Sequence, residues 1–274
     1  LEGRIHGSGR LGWTEPFEVA FDLQAADINP AGLLPDWPGK LELKLQGVAQ
    51  WPESGWQARL QRASAQRTLR ALPLRLEGSG SYRPGSLALQ DTRLRSGSSR
   101  LVLDGEVGER LSLDWELDSP DLGTLLPGLS GRLAGSGRLL GTRKMPHIIT
   151  RLDGSGLRYA AERIDALSLE ASVDLGGGSE SRIDLQHGRG FIAGVVIESL
   201  QLQGRGYPQA HRLELAAVGA AGRLDLQLDG DWRDPDWRFR LGEASLGPDI
   251  LRITSQHTRK VRFRLLIISF VEVD

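Results

Sequence analysis

The 274-residue chain contains no cysteine. Disulfide frameworks, thiolate metal sites and cysteine nucleophiles are therefore excluded. Charge of one sign is also missing. Lys and Arg number 34 against 35 Asp and Glu, a net charge of −1, so there is no electrostatic case for nucleic acid or for an anionic headgroup layer. Aromatic residues make up only 6% of the chain and interleave poorly with basic ones, which argues against stacking of single-stranded nucleic acid. No secretory signal opens the chain, and no run approaches the roughly 20 apolar residues of a membrane-spanning helix. The first residue is Leu, and the chain reads as a piece of something longer.

Recognisable site chemistry is missing as well. The letters of Gly7-Ser8-Gly9-Arg10-Leu11-Gly12 match a dinucleotide fingerprint. Trp13-Thr14-Glu15-Pro16 follows instead of the helix whose N-terminus would hold pyrophosphate, so no cofactor is assigned. His6, His147, His187, His211 and His257 are scattered, without ligand spacing. Asp229, Asp231, Asp234 and Asp236 lack the spacing and terminal Glu of a calcium loop. They surround Trp232 and Trp237 and read as solvated carboxylates at a hairpin turn. No metal and no catalytic residue is assigned, and nothing positive supports an enzyme.

What the chain does have is Leu alternating with polar residues from end to end: Leu41-Glu42-Leu43-Lys44-Leu45, Leu111-Ser112-Leu113-Asp114-Trp115-Glu116-Leu117 and Leu224-Asp225-Leu226-Gln227-Leu228 are examples. A period of two puts every Leu on one face of a strand; a helix would scatter them around its cylinder. Turn residues recur about every 8–12 positions, the spacing of an all-β chain of short strands. The pattern predicts strands over 2–12, 17–25, 40–50, 56–63, 72–82, 86–95, 99–107, 110–118, 131–141, 148–158, 165–174, 181–187, 190–204, 212–218, 223–232 and 236–243, paired as antiparallel meanders.

Two recurrences overlie the alternation. Phe21-Asp22-Leu23 leads through Asp27-Ile28 to Leu33-Leu34-Pro35 and Gly39-Lys40-Leu41, much as Trp115-Glu116-Leu117 leads through Asp121-Leu122 to Leu125-Leu126-Pro127 and Gly131-Arg132-Leu133. The units, near 17–50 and 111–141, lie about 92–94 residues apart and suggest an extended, repeating architecture. Asp27 and Asp121 read as N-caps of one-turn helices, with Leu33-Leu34 and Leu125-Leu126 as apolar knobs against the sheet. Gly-Ser-Gly recurs at 7–9, 78–80, 135–137 and 154–156, placing Gly on the face otherwise held by Leu, where it relieves crowding and lets a sheet bend. Residues 1–257 read as one β-groove segment. Residues 258–274, with a basic stretch followed by Leu265-Leu266-Ile267-Ile268, read as a final strand or a tail foreign to the fold, and carry no functional argument. The seven Trp read mainly as strand-end packing residues.

An apolar sheet face must be covered by a second sheet, by helices, by self-closure or by a ligand. Helices are nearly absent from the pattern. The fold expected is all-β: an elongated, curled, mainly antiparallel sheet forming a half-pipe with an apolar concave groove and one-turn helices in its loops. Its expected lining is Leu41, Leu43, Leu45, Leu87, Leu89, Leu101, Leu103, Leu111, Leu113, Leu117, Leu185, Leu200, Leu202, Leu213, Leu215, Leu224, Leu226 and Leu228. The competing reading makes the same residues the core of a compact sandwich.

The segments Leu76-Glu77-Gly78-Ser79-Gly80-Ser81-Tyr82, Ser98 to Gly105, Leu113 to Leu117 and Asp121 to Leu133 resemble the TamB family, relatives of AsmA-like proteins. So do the turn from Gly141-Thr142 to Pro146 and the strand from Leu152 to Tyr159; the resemblance spans about residues 1–245. It implies a β-rich periplasmic protein of Gram-negative bacteria, anchored in the inner membrane by a segment absent here. It also implies an apolar groove for phospholipid acyl chains and an outer-membrane partner of the TamA (Omp85) type, which this stretch itself need not touch. Two roles follow from it: carrying lipid toward the outer membrane, and assisting insertion of outer-membrane barrels and autotransporters. A carbohydrate-binding β-solenoid, the third possibility, would need exposed aromatic rows.

Overall fold

The computed structural model describes residues 3–192, 194–220, 222–233, 236–246 and 259–262. The chain divides into two units, Leu1–Leu129 and Ser130–Asp274.

The first unit is an antiparallel meander of β1 (Arg4–Gly12), β2 (Phe17–Ile28), β3 (Gly39–Trp51), β4 (Gln57–Leu69), β5 (Leu72–Arg83), β6 (Ser86–Ser96), β7 (Ser99–Val107) and β8 (Arg110–Ser119), each paired with the next. The second holds β9 (Leu129–Thr142), β10 (Pro146–Tyr159), β11 (Glu162–Asp174), β12 (Ser181–His187), β13 (Gly190–Ile192), β14 (Val195–Tyr207), β15 (Ala210–Gly219), β16 (Gly222–Arg233), β17 (Asp236–Leu246) and β18 (Arg259–Arg262). Here too successive strands pair, with β12 and β13 as two pieces of one track between β11 and β14. The all-β, antiparallel expectation is met, and most strand limits agree within a few residues.

The differences have local causes. The expected strand at 190–204 divides into β13 and β14. The expected 56–63 extends to Leu69, where Ala63 and Ala65 continue the apolar alternation without Leu. In the stretch read as a final strand or a foreign tail, β18 pairs Arg259–Arg262 with β17; residues 247–258 and 263–274 fall outside the described ones.

The two one-turn helices are 3-10 turns, Pro30–Gly32 and Leu122–Thr124. Asp121 caps the second, accepting from Gly123 N at 2.9 Å. Asp27 does not cap the first. A bulge in β2 holds it at φ 58°, and its carboxylate meets Arg4 and Arg67 at 3.7 and 3.3 Å. Asn29 is the cap, accepting from Ala31 N at 3.2 Å and Gly39 N at 3.1 Å. Counted from the true caps, Asn29 and Asp121, the repeat has a constant offset of about 92 residues through the Leu-Leu-Pro and the following Gly; the extra residues precede Asn29, where β2 bulges.

Candidate functional site: an uncovered apolar face

Residues directly opposite in an antiparallel pair share a face, so the registers give the composition of each face. In the first unit one row runs Ala25, Leu43, Ala65, Leu76, Leu94, Leu101, Leu117. A parallel row runs Gly9, Phe21, Gly47, Leu60, Gly80, Leu89, Gly105, Leu113. Large apolar residues and glycines therefore alternate across eight strands. Bulges in β4 and β6 lie between these two rows, where they bend a strand and raise its twist. Gly105 shows why the small residue is needed: at φ 125° a Cβ would run into the Ser112 carbonyl. The Gly-Ser-Gly segments fall as expected, with Gly7 and Gly9 of the first opposite Leu23 and Phe21.

The second unit carries a row of Leu152, Leu169, Leu185, Leu202, Leu215 and Leu226 across six tracks. At about 4.8 Å per strand this stripe is about 24 Å long, against roughly 15 Å for the hydrocarbon of one bilayer leaflet. Beside it run Leu167, His187, Leu200, Ala217 and Leu224 on one side, and Ile183, Gly204, Leu213 and Leu228 on the other.

Every residue of the expected lining lies on one of these two faces. Leu41, Leu43, Leu45, Leu87, Leu89, Leu101, Leu103, Leu111, Leu113 and Leu117 share the face of the first unit. Leu185, Leu200, Leu202, Leu213, Leu215, Leu224, Leu226 and Leu228 share that of the second. Sequence reasoning passed over Leu60, Leu74, Leu76, Leu94, Leu152, Leu167 and Leu169, although Leu72-Pro73-Leu74-Arg75-Leu76 carries the same alternation.

These faces are half-buried. Among the described residues the buried apolar side chains are Leu41, Ala65, Leu111 and Leu122, with Pro146 and Pro208. Of the expected lining, only Leu41 and Leu111 are buried; Leu87 is 38% exposed and the rest are intermediate. Substantial contacts between strands within each unit join hydrogen-bonded neighbours. The inner rows of a sandwich would be sealed by a facing layer about 10 Å away. Here most of each row stays intermediate in exposure.

The first unit's face is finished differently at its two ends. At one end the turn Leu122–Thr124 is tied down by hydroxyls. Ser99 Oγ shares hydrogen bonds with Ser119 Oγ (2.7 Å) and Thr124 Oγ1 (2.6 Å), and Ser96 Oγ donates to the Thr124 carbonyl (2.6 Å). Arg70 donates to the Gly123 carbonyl at 3.0 Å while lying over the Trp37 ring. Leu122 is the apolar knob. Of the expected ones, Leu33, Leu34 and Leu126 are 73%, 55% and 49% exposed and Leu125 is intermediate. At the other end Phe17 and Trp51 are opposite partners, and Trp56 stacks on Tyr82 at 4.4 Å. These Trp stand at strand ends as expected but are not packed away: Trp13, Trp51 and Trp56 are 77%, 51% and 48% exposed.

The opposite faces are polar and locally neutralised. Glu42 accepts from Gln66 and pairs with Arg67; the Gln66 bond first, then Arg67, hold its carboxyl below the usual range. Asp229 bonds Arg212 at 2.8 Å and raises the guanidinium's pKa. At the end of β11, burial pushes Asp174 up, but the Ser179 hydroxyl, Ser179 N and Gly176 N all donate to it and hold it below its ordinary value. The acidic quartet lies at the β16–β17 hairpin, where Trp232 opposes Trp237 and Arg233 opposes Asp236; Asp234 is outside the described residues.

Both units thus define one class of protein: antiparallel sheets with one polar face and one Leu-rich face that the fold leaves partly open. The chain belongs to the TamB family; the family model described as TamB, N-terminal domain, matches residues 1–267. The translocation and assembly module subunit TamB of Haemophilus influenzae is 22% identical over 267 residues, which are 96% of this chain and 21% of that protein. The chain therefore spans about a fifth of the length of this curated relative. No solved structure matches it.

Proposed function

We propose that this chain is part of a periplasmic conduit that shelters phospholipid acyl chains on its apolar faces between inner and outer membrane, in support of outer-membrane biogenesis. The observation that carries the reading is the half-buried state of continuous Leu rows within each unit. Each CH₂ kept from water is worth about 0.8 kcal/mol, so even a partly covered two-chain lipid is spared on the order of 10 kcal/mol. A polar constellation is not required, because the recognised surface is hydrocarbon. Membership of the family, and the relative's name, support a place in a translocation and assembly module. The full-length protein would be anchored in the inner membrane and would meet a TamA-type partner in the outer one. No chemical step is assigned to it.

A photoreactive p-benzoylphenylalanine at Leu43, at Leu202 and, as control, at Lys44 tests the reading in cells. Lipid adducts at both Leu positions and none at Lys44 are expected. Adducts made only with polypeptide at the Leu positions would instead establish a chaperone or scaffold for outer-membrane barrel strands, the alternative use of the same face. The absence of any adduct would overturn both.

A further inference from the structure

We infer that the second unit contains a discrete seat for one hydrocarbon chain at the β14–β17 hairpin ends; the inference rests on the reading above and adds a specific place to it. The hollow has a volume of about 280 Å³. Gly204 and Gly206 form its floor, since two consecutive positions of β14 on the apolar face lack side chains. Leu213, Tyr207, Trp232 and Trp237 are among its walls. Arg205 also borders it, but strand alternation sends its side chain to the polar face, opposite Arg212.

The chemistry of the walls selects the occupant. Trp237 Nε1 donates to His211 Nε2 at 2.6 Å. An indole nitrogen can only donate, so His211 Nε2 must accept and the imidazole proton sits on Nδ1. That nitrogen faces the Tyr207 carbonyl at 3.3 Å. A hydroxyl at the wall, Ser181 Oγ, accepts from Asp174 N at 2.9 Å. His211, Trp237 and Ser181 are thus turned onto protein partners. Against Val173, Leu175, Ile183 and Leu213 a polar ligand would lose its hydration without replacement, whereas a hydrocarbon loses nothing. At roughly 30 Å³ per methylene-sized group, the share of a water molecule in the liquid, the hollow takes on the order of nine such groups. Leu213 borders both the hollow and the stripe containing Leu202 and Leu215, so a longer chain seated here by its end continues onto that stripe.

The test uses the whole chain and decanoic acid below its micelle concentration, followed by equilibrium dialysis. One saturable site per chain is expected, with hexanoic acid bound about 250-fold more weakly, since it is four methylenes shorter and each methylene is worth about fourfold. Two variants fill the hollow from different strands, Gly204→Leu and Val173→Trp; either, with an unchanged β-sheet circular dichroism spectrum, is expected to lose at least tenfold in decanoic acid affinity. Wild-type affinity in a folded filled variant, or equal affinity for the two acids, would overturn the seat. The Leu43 lipid adduct of the first unit separates the two claims. If it persists while the filled variants bind normally, only the seat fails; if it is absent too, the acyl-chain reading fails with it.

Discussion

The two units use the same binary pattern to arrange volume in opposite ways. The first alternates large side chains with glycines across its strands, so that Phe21, Leu60, Leu89 and Leu113 stand apart with Gly47, Gly80 and Gly105 between them. The second carries an unbroken row of leucines and, besides the Gly-Ser-Gly segments at 135–137 and 154–156, gathers Gly204, Gly206 and Gly230 near one end. An interrupted row can bend without collision, and bulges lie beside it. An unbroken row gives a continuous oily stripe and leaves a hollow where the glycines gather. A Leu-polar alternation therefore fixes which face is oily, while the distribution of glycine within that face decides whether the surface is corrugated or smooth.

The largest expected effect sharpens this contrast. Gly105→Val puts a branched side chain at a positive φ and against the Ser112 carbonyl; it should destabilise the first unit by about 3 kcal/mol or more, read as a lower urea midpoint. Leu226→Gly, which interrupts the second unit's stripe, should leave that unit folded. Next comes the hydroxyl clasp. Ser99→Ala leaves Ser119 and Thr124 short of a buried partner and should cost about 2 kcal/mol, with amide exchange rising first in residues 121–126. Leu111→Ala and Leu113→Ala then compare a buried and a half-buried leucine on one strand. The first should cost about 2–3 kcal/mol and the second about 1 kcal/mol; equal losses would mean that the face is sealed. Leu113→Arg should fold, because the guanidinium can reach water from an open face, yet lose lipid adducts.

The smallest effect concerns pH. Asp174 is held below its unfolded value, so its contribution is present above that value and is lost as pH falls through the lower, folded value. Asp174→Asn should cost about 1 kcal/mol at neutral pH, and the difference from wild type should shrink below about pH 4. A difference constant from pH 7 to pH 3 would show that the carboxylate charge plays no part.

Much of this was legible in the chain itself. Leu residues two apart, with Gly and Pro punctuation, specified the strands and their oily side, because side-chain direction in a strand depends only on parity. The expected groove leucines share faces for that reason. Capping was less legible: Asp27 and Asn29 are both good caps by residue type, and only the bulge in β2, which turns Asp27 toward Arg4 and Arg67, left the role to Asn29. Leu33 and Leu122 are equally apolar in sequence, yet one is exposed and the other buried, since burial depends on what the turn leans against.

The amino-acid order by itself determined the elements, their polarity and the place of the glycines, all of which follow from local periodicity. Only the tertiary structure decided that the leucines remain half-buried, that Gly204 and Gly206 open onto a common hollow, and that His211 and Trp237 satisfy each other at its rim. Those outcomes depend on register between strands distant in the chain, and a one-residue slip would have sent every side chain to the other side.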